Sequence, residues 1–127
     1  MSRRAIHTDK APTPAGHYSQ GILVGQDLYI AGSGPYDPKT HEVVPGGIGE
    51  QTRRTLDNIA AIAEAAGGTI RDLVKVTVYL KDMGQFRDMD AVYKEYFPTD
   101  PPARTTVQAE LWGAGRLIVI DAIGRIE

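Results

Sequence analysis

The chain has 127 residues, 14 Lys+Arg against 16 Asp+Glu, and a formal net charge of −2, a length that fits one domain able to bury roughly two-thirds of its unfolded surface. The slight acidic excess argues against nucleic acid, because phosphate binding wants a basic surplus. Cysteine is absent, which excludes disulfides, zinc–thiolate sites and a thiol nucleophile.

Residues 1–19 are rich in Pro, Gly and polar side chains and predict an irregular lead-in. The opening MSRRAIHTDKAP has two arginines with no apolar run behind them, so it does not read as a signal peptide. No stretch approaches the roughly 18 apolar residues of a membrane span, and the expected location is the cytoplasm. Ile22–Val24 and Leu28–Ala31 are apolar runs separated by Gly25-Gln26-Asp27, a hairpin signal. GSGPYDPKTHEVVPGG (32–47) is dense in turn formers and reads as a loop. From about Glu50 to Ala66, the residues Thr52, Leu56, Ile59, Ala63 and Ala66 recur at spacings of four and three, one face of a helix. Gly67-Gly68 supplies its stop. LVKVTVYL (73–80) is rich in β-branched residues and reads as a strand. Phe86, Met89, Tyr93 and Tyr96 or Phe97 return to helical spacing, and Pro98 ends that helix. After the stiff PTDPP (98–102), Arg104–Leu111 alternates as a strand with two unlike faces. Leu117–Ile123 is a further strand, apolar on both faces at 117–120.

The order β-β-α-β-α-β-β predicts an α+β domain spanning 1–127, with two helices on one face of its sheet. The strand LIVI (117–120) requires cover on the other face too, and no third helix is available to give it. Another copy of the chain is the simplest cover, so a homo-oligomer is expected, with ligand clefts where the copies meet.

Much familiar chemistry is missing. His7, His17 and His41 lie in loops without the paired spacing of a metal site. Ser19 and Ser33 sit in no G-x-S-x-G elbow, and GSGPYDP lacks the third glycine and the following helix of a dinucleotide fingerprint. The informative segment is PPARTTV (101–107). Two prolines stiffen the approach to Arg104, whose planar fork can grip a carboxylate with two parallel hydrogen bonds. Read from the residues alone, Arg104 is either that anchor or a solvated arginine at a strand entrance.

PPARTTVQAELWGAGRLIVIDAIG (101–124) resembles the signature of the RidA/YjgF/UK114 family, a Pro-x-Arg-(Ser/Thr) strand followed by an apolar strand ending in acid-Ala-Ile. APTPAGHYSQG (11–21) is similar to that family's Tyr-containing loop, YIAGSGPYDPKTHEVV (29–44) to its hairpin loop, TLDNIAAIAEAAG (55–67) to its first helix, and DLVKVTVYLKDMGQF (72–86) to its central strand and the start of helix two. Nearly the whole chain is covered, in order. The resemblance implies a chorismate-mutase-like fold, a homotrimeric barrel with clefts between subunits, and hydrolysis of carboxylate-bearing enamines or imines to a keto acid and ammonia without metal or organic cofactor.

By the same resemblance Arg104 pairs with the substrate carboxylate and Tyr18 lines the cleft. The backbone of Gly32 approaches the ligand, and the Thr106 carbonyl helps hold the imine nitrogen or the attacking water. Such a site works by orientation and fixed dipoles. Three positions depart from the pattern. Val119 stands where a water-positioning glutamate is usual, and a valine can neither accept a proton nor orient water. Ala31 replaces a common serine, and Gly84 a common asparagine. Asp121, on the same strand face as Val119, is either a structural acid bonded to a neighbouring strand or a displaced catalytic one, roughly 6–7 Å further along. With Trp112, Tyr36 and His17 nearby, the departures suggest a larger or more apolar substrate. Two other readings stay open: a non-hydrolytic member that binds a carboxylated metabolite or guides another imine reaction, favoured by Val119, and an endoribonuclease, which the charge balance disfavours.

Overall fold

Two hydrophobic periods, one near 3.6 and one of 2, divide the chain into the elements of a helix layer and a sheet. The computed structural model describes residues 2–127. Its strands are β1 (Arg3–Ile6), β2 (Gly21–Val24), β3 (Asp27–Ser33), β4 (Leu73–Leu80), β5 (Ala103–Gln108) and β6 (Ile118–Arg125), with helices α1 (Ile48–Ala65) and α2 (Phe86–Tyr96). All six strands join one mixed sheet in the order β1-β2-β3-β6-β4-β5. Only the β4–β5 pairing is parallel, and α2 makes the crossover it needs. The observed α+β architecture agrees with the sequence expectation. None of the helices is long and apolar enough to cross a membrane.

The predicted stripe of α1 is buried throughout, from Thr52 to Ala66, and packs on the sheet. Its end is where Gly67-Gly68 was expected to stop it. Gly67 takes φ +101°, which a side chain resists, and the amides of Gly67 and Gly68 return to the carbonyls of Glu64 and Ala63. At the other end the Glu50 carboxylate accepts the Gly47 amide at 2.9 Å. Met89, Val92 and Tyr93 of α2 are likewise buried. The core between helices and sheet contains Leu28, Ile30, Leu56, Ile59, Val76, Val78, Leu80, Ile118 and Ile120.

Among the described residues no helix covers the opposite face of the sheet. It presents Tyr29, Val107 and Ile123, each at least 38% exposed, with Val119 half-buried among them. Large apolar side chains on an uncovered sheet face are the feature that the two-sided LIVI run led one to expect.

Two boundaries differ from the sequence reading. Residues 1–19 are not wholly irregular, because Arg3–Ile6 pairs antiparallel with β2. Four residues with one buried side chain carry too little alternation to announce a strand, and pairing with β2 creates it. The strand expected over 104–111 stops at Gln108: β4 ends at Leu80, whose carbonyl takes the amide of Ala109, and the chain then leaves the sheet.

Candidate active site

A cavity of about 670 Å³ opens beside the β3–β6 pair. Three loops wall it: residues 11–18, the segment after β3, and the β5–β6 loop. Of the residues expected at the site, it gathers Tyr18, Ala31, Gly32, Trp112 and Val119. The β3–β6 register slips between Ile30 and Ser33, and such a bulge re-aims the backbone at Ala31–Gly32. A methyl group on Gly32 would lie 3.2 Å from Val119 Cγ1, so glycine keeps this wall open. Tyr18 and Trp112 stand at the rim, 51% and 78% exposed.

Each wall loop is tied down by a buried side-chain amide. Gln20 Nε2 donates to the carbonyls of Thr8, Ala11 and Pro12, and its Oε1 accepts the Thr8 amide at 2.8 Å. Asn58 of α1 donates to the carbonyls of Gly34 and Tyr36 and accepts the Arg54 guanidinium. Gln51, also on α1, donates to the Gly115 carbonyl and accepts the Leu117 amide. Buried polar groups persist only when paired, and these three spend their capacity shaping the cavity. Sequence reading did not single them out. The available signal was polar residues at helical spacing on the buried side of α1: Gln51, Thr55 and Asn58 lead into Ile62.

Arg104 and Thr106 are not on this cavity wall. They lie on β5, separated from β3 by β6 and β4, about 14 Å at ordinary strand spacing. Alternation turns both toward the helix side. Arg104 Nη1 donates to Asp90 Oδ1 at 2.7 Å, and the guanidinium sits 4.5 Å from the Tyr93 ring centre and 5.3 Å from that of Phe86. The arginine side chain is only 20% exposed. It is therefore neither a solvated strand-end arginine nor a neighbour of Tyr18 within one chain. Burial pushes the Tyr93 phenol up to about 12, with the positive charge of Arg104 opposing that rise.

The acid two residues beyond Val119 has a partner. Asp121 Oδ2 accepts the Tyr79 hydroxyl of β4 at 3.0 Å, the structural bond weighed for it above. Among the described residues no carboxylate lines the cavity; its titratable side chains are Tyr18, Tyr36, His41 and Arg116.

The Endoribonuclease L-PSP family model matches residues 8–126. This chain belongs to the RidA/YjgF family. Among relatives of this RidA-family protein, a RutC family protein of Pyrococcus abyssi is 49% identical over 123 residues, covering 97% of each chain. The 2-iminobutanoate/2-iminopropanoate deaminase of Bos taurus is 40% identical over 123 residues, 97% of this chain and 90% of the bovine one. The structure of Escherichia coli TdcF with bound serine superposes with a TM-score of 0.92, at 32% identity over 98% of this chain and 99% of that one.

Proposed function

We propose that this protein hydrolyses reactive imines or enamines bearing a carboxylate to the keto acid and ammonia, with each site assembled from two copies of the chain. The observation that carries the reading is the cavity, where five residues expected from separate parts of the sequence line one space. The bovine relative supports the reaction class by its name and its 40% identity. The serine bound to TdcF supports a small carboxylate-bearing ligand. Arg104 has to come from a neighbouring subunit, because its own chain holds it away from the cavity. The apolar sheet face beside β5 is the surface through which copies would join. A trimer is the assembly expected from the family.

In this arrangement the Arg104 fork takes the substrate carboxylate, and Asp90, Tyr93 and Phe86 hold the guanidinium in one orientation. The imine carbon then faces the bulged backbone at Ala31–Gly32. Water adds across the C=N bond, the tetrahedral adduct expels ammonia, and the C=O of the keto acid remains. A protonated imine is already electrophilic, so orientation and backbone dipoles, including the Thr106 carbonyl, can suffice without an acid at Val119. No metal or organic cofactor enters this scheme.

The lack of any carboxylate on the cavity wall favours a second reading, a binding protein that does not hydrolyse. One experiment separates them. An amino-acid oxidase generates imine in the presence of semicarbazide, and the protein competes with that trap by releasing ammonia. Acceleration is expected, with Arg104→Ala losing about 3 kcal/mol of transition-state binding, about a hundredfold in kcat/KM. Tight binding of a carboxylate without acceleration would establish the second reading.

A further inference from the structure

One cation on the cavity wall has no role in that scheme. Among the described residues Arg116 is the only lysine or arginine lining the cavity, on a wall that carries no carboxylate. It enters no ion pair among the described residues. One Nη2 hydrogen goes to the Trp112 carbonyl, the guanidinium carbon lies 5.5 Å from the Tyr36 ring centre, and Nε is buried without a partner. Its backbone is fixed on both sides, since Gln51 grips Gly115 and Leu117. Arg104 contrasts with it, being neutralised by Asp90 at 2.7 Å. A partly buried positive charge with no counter-charge is unfavourable unless something supplies an anion. A few placed polar groups in a cleft are what fix a ligand's orientation.

We propose that Arg116 is a second anion anchor in the substrate site, and that the protein prefers imines carrying two carboxylates, such as the imine of a short acidic amino acid. This rests on the imine-hydrolase reading above. Arg104 of one copy takes the carboxylate next to the C=N carbon, and Arg116 of the other takes the distal acid. The spacing between two cations on different copies sets the chain length accepted. Tyr36 behind the guanidinium and Trp112 at the rim confine the methylene segment. The reaction stays balanced as before: water adds to the C=N carbon, ammonia leaves, and the distal carboxylate is unchanged.

Trp112 is the only tryptophan of the chain, so its fluorescence reports occupancy of this cavity directly. Titrating the intact protein with succinate and with butanoate should show succinate binding at least about tenfold tighter. Arg116→Gln should collapse that ratio to within about twofold, and Arg116→Lys, which keeps the charge and loses the fork, should retain part of it. In the semicarbazide competition, imine generated from aspartate should be hydrolysed faster than imine generated from alanine, and R116Q should remove the preference. Equal affinities in the wild type, or a ratio unchanged in R116Q, would overturn the proposal. Acceleration of the alanine-derived imine with no succinate preference leaves the hydrolase reading standing without this one. A succinate preference with no acceleration of either imine does the reverse for the reaction.

Discussion

Strand position decides what a carboxylate can do here. Tyr79 of β4 lies directly opposite Val119 of β6, and its hydroxyl reaches along the strand to Asp121. The Asp121 carboxylate is thereby occupied, and it holds the Tyr79 phenol above its ordinary value, chiefly through this hydrogen bond and secondarily through burial. Asp121 therefore helps fix the register of the central strands, and the cavity is left without an acid. Tyr79→Phe should lower the unfolding free energy by about 1 kcal/mol in urea titrations. Asp121→Asn, which can still pair with the phenol, should keep imine hydrolysis within about twofold of wild type. A loss of about a hundredfold in that variant would restore Asp121 as a catalytic candidate.

Helix α1 shows which parts of the chain can be read without coordinates. Its apolar stripe was legible because Thr52, Leu56, Ile59, Ala63 and Ala66 keep one period, and its end because two glycines follow. The neighbouring row of Gln51, Thr55 and Asn58 has the same period and is equally buried, yet polar residues on a helix ordinarily face water, so its spacing alone did not tell burial from exposure. Thr55 turns its hydroxyl back to the Gln51 carbonyl of its own helix, while Gln51 and Asn58 bond backbone groups of loops as much as 66 residues away. The cavity was legible through its loop motifs, but the separation of Arg104 from it depends on strand order, which no local pattern encodes. Arg116 gave no signal either, since its meaning lies in having no counter-charge. Asn58→Ala leaves the Gly34 and Tyr36 carbonyls unpaired and should cost about 3 kcal/mol of stability. A change below about 0.5 kcal/mol would show that the loop holds its shape without α1.

For the molecule as a whole, the sheet has one face under helices and one bare, and the bare side carries Tyr29, Val107 and Ile123. If copies join through it, a charge there should separate them. Ile123→Glu is expected to sediment as a single chain while the wild type sediments as a closed oligomer, trimeric in the family's manner. It should also lose imine hydrolysis, because no cavity would then receive the arginine of a neighbour. A wild-type protein that sediments as a single chain would remove the premise of a shared site.

The outer side of β5 has a further effect before any ligand arrives. As the last strand in the order, it leaves a row of amide and carbonyl groups unpaired along one margin. Beside them lies Val107, 38% exposed. Such margins template indiscriminate strand addition. If copies join as proposed, a newly synthesised chain is most prone to aggregate in the interval before it meets its own kind, and dilution prolongs that interval.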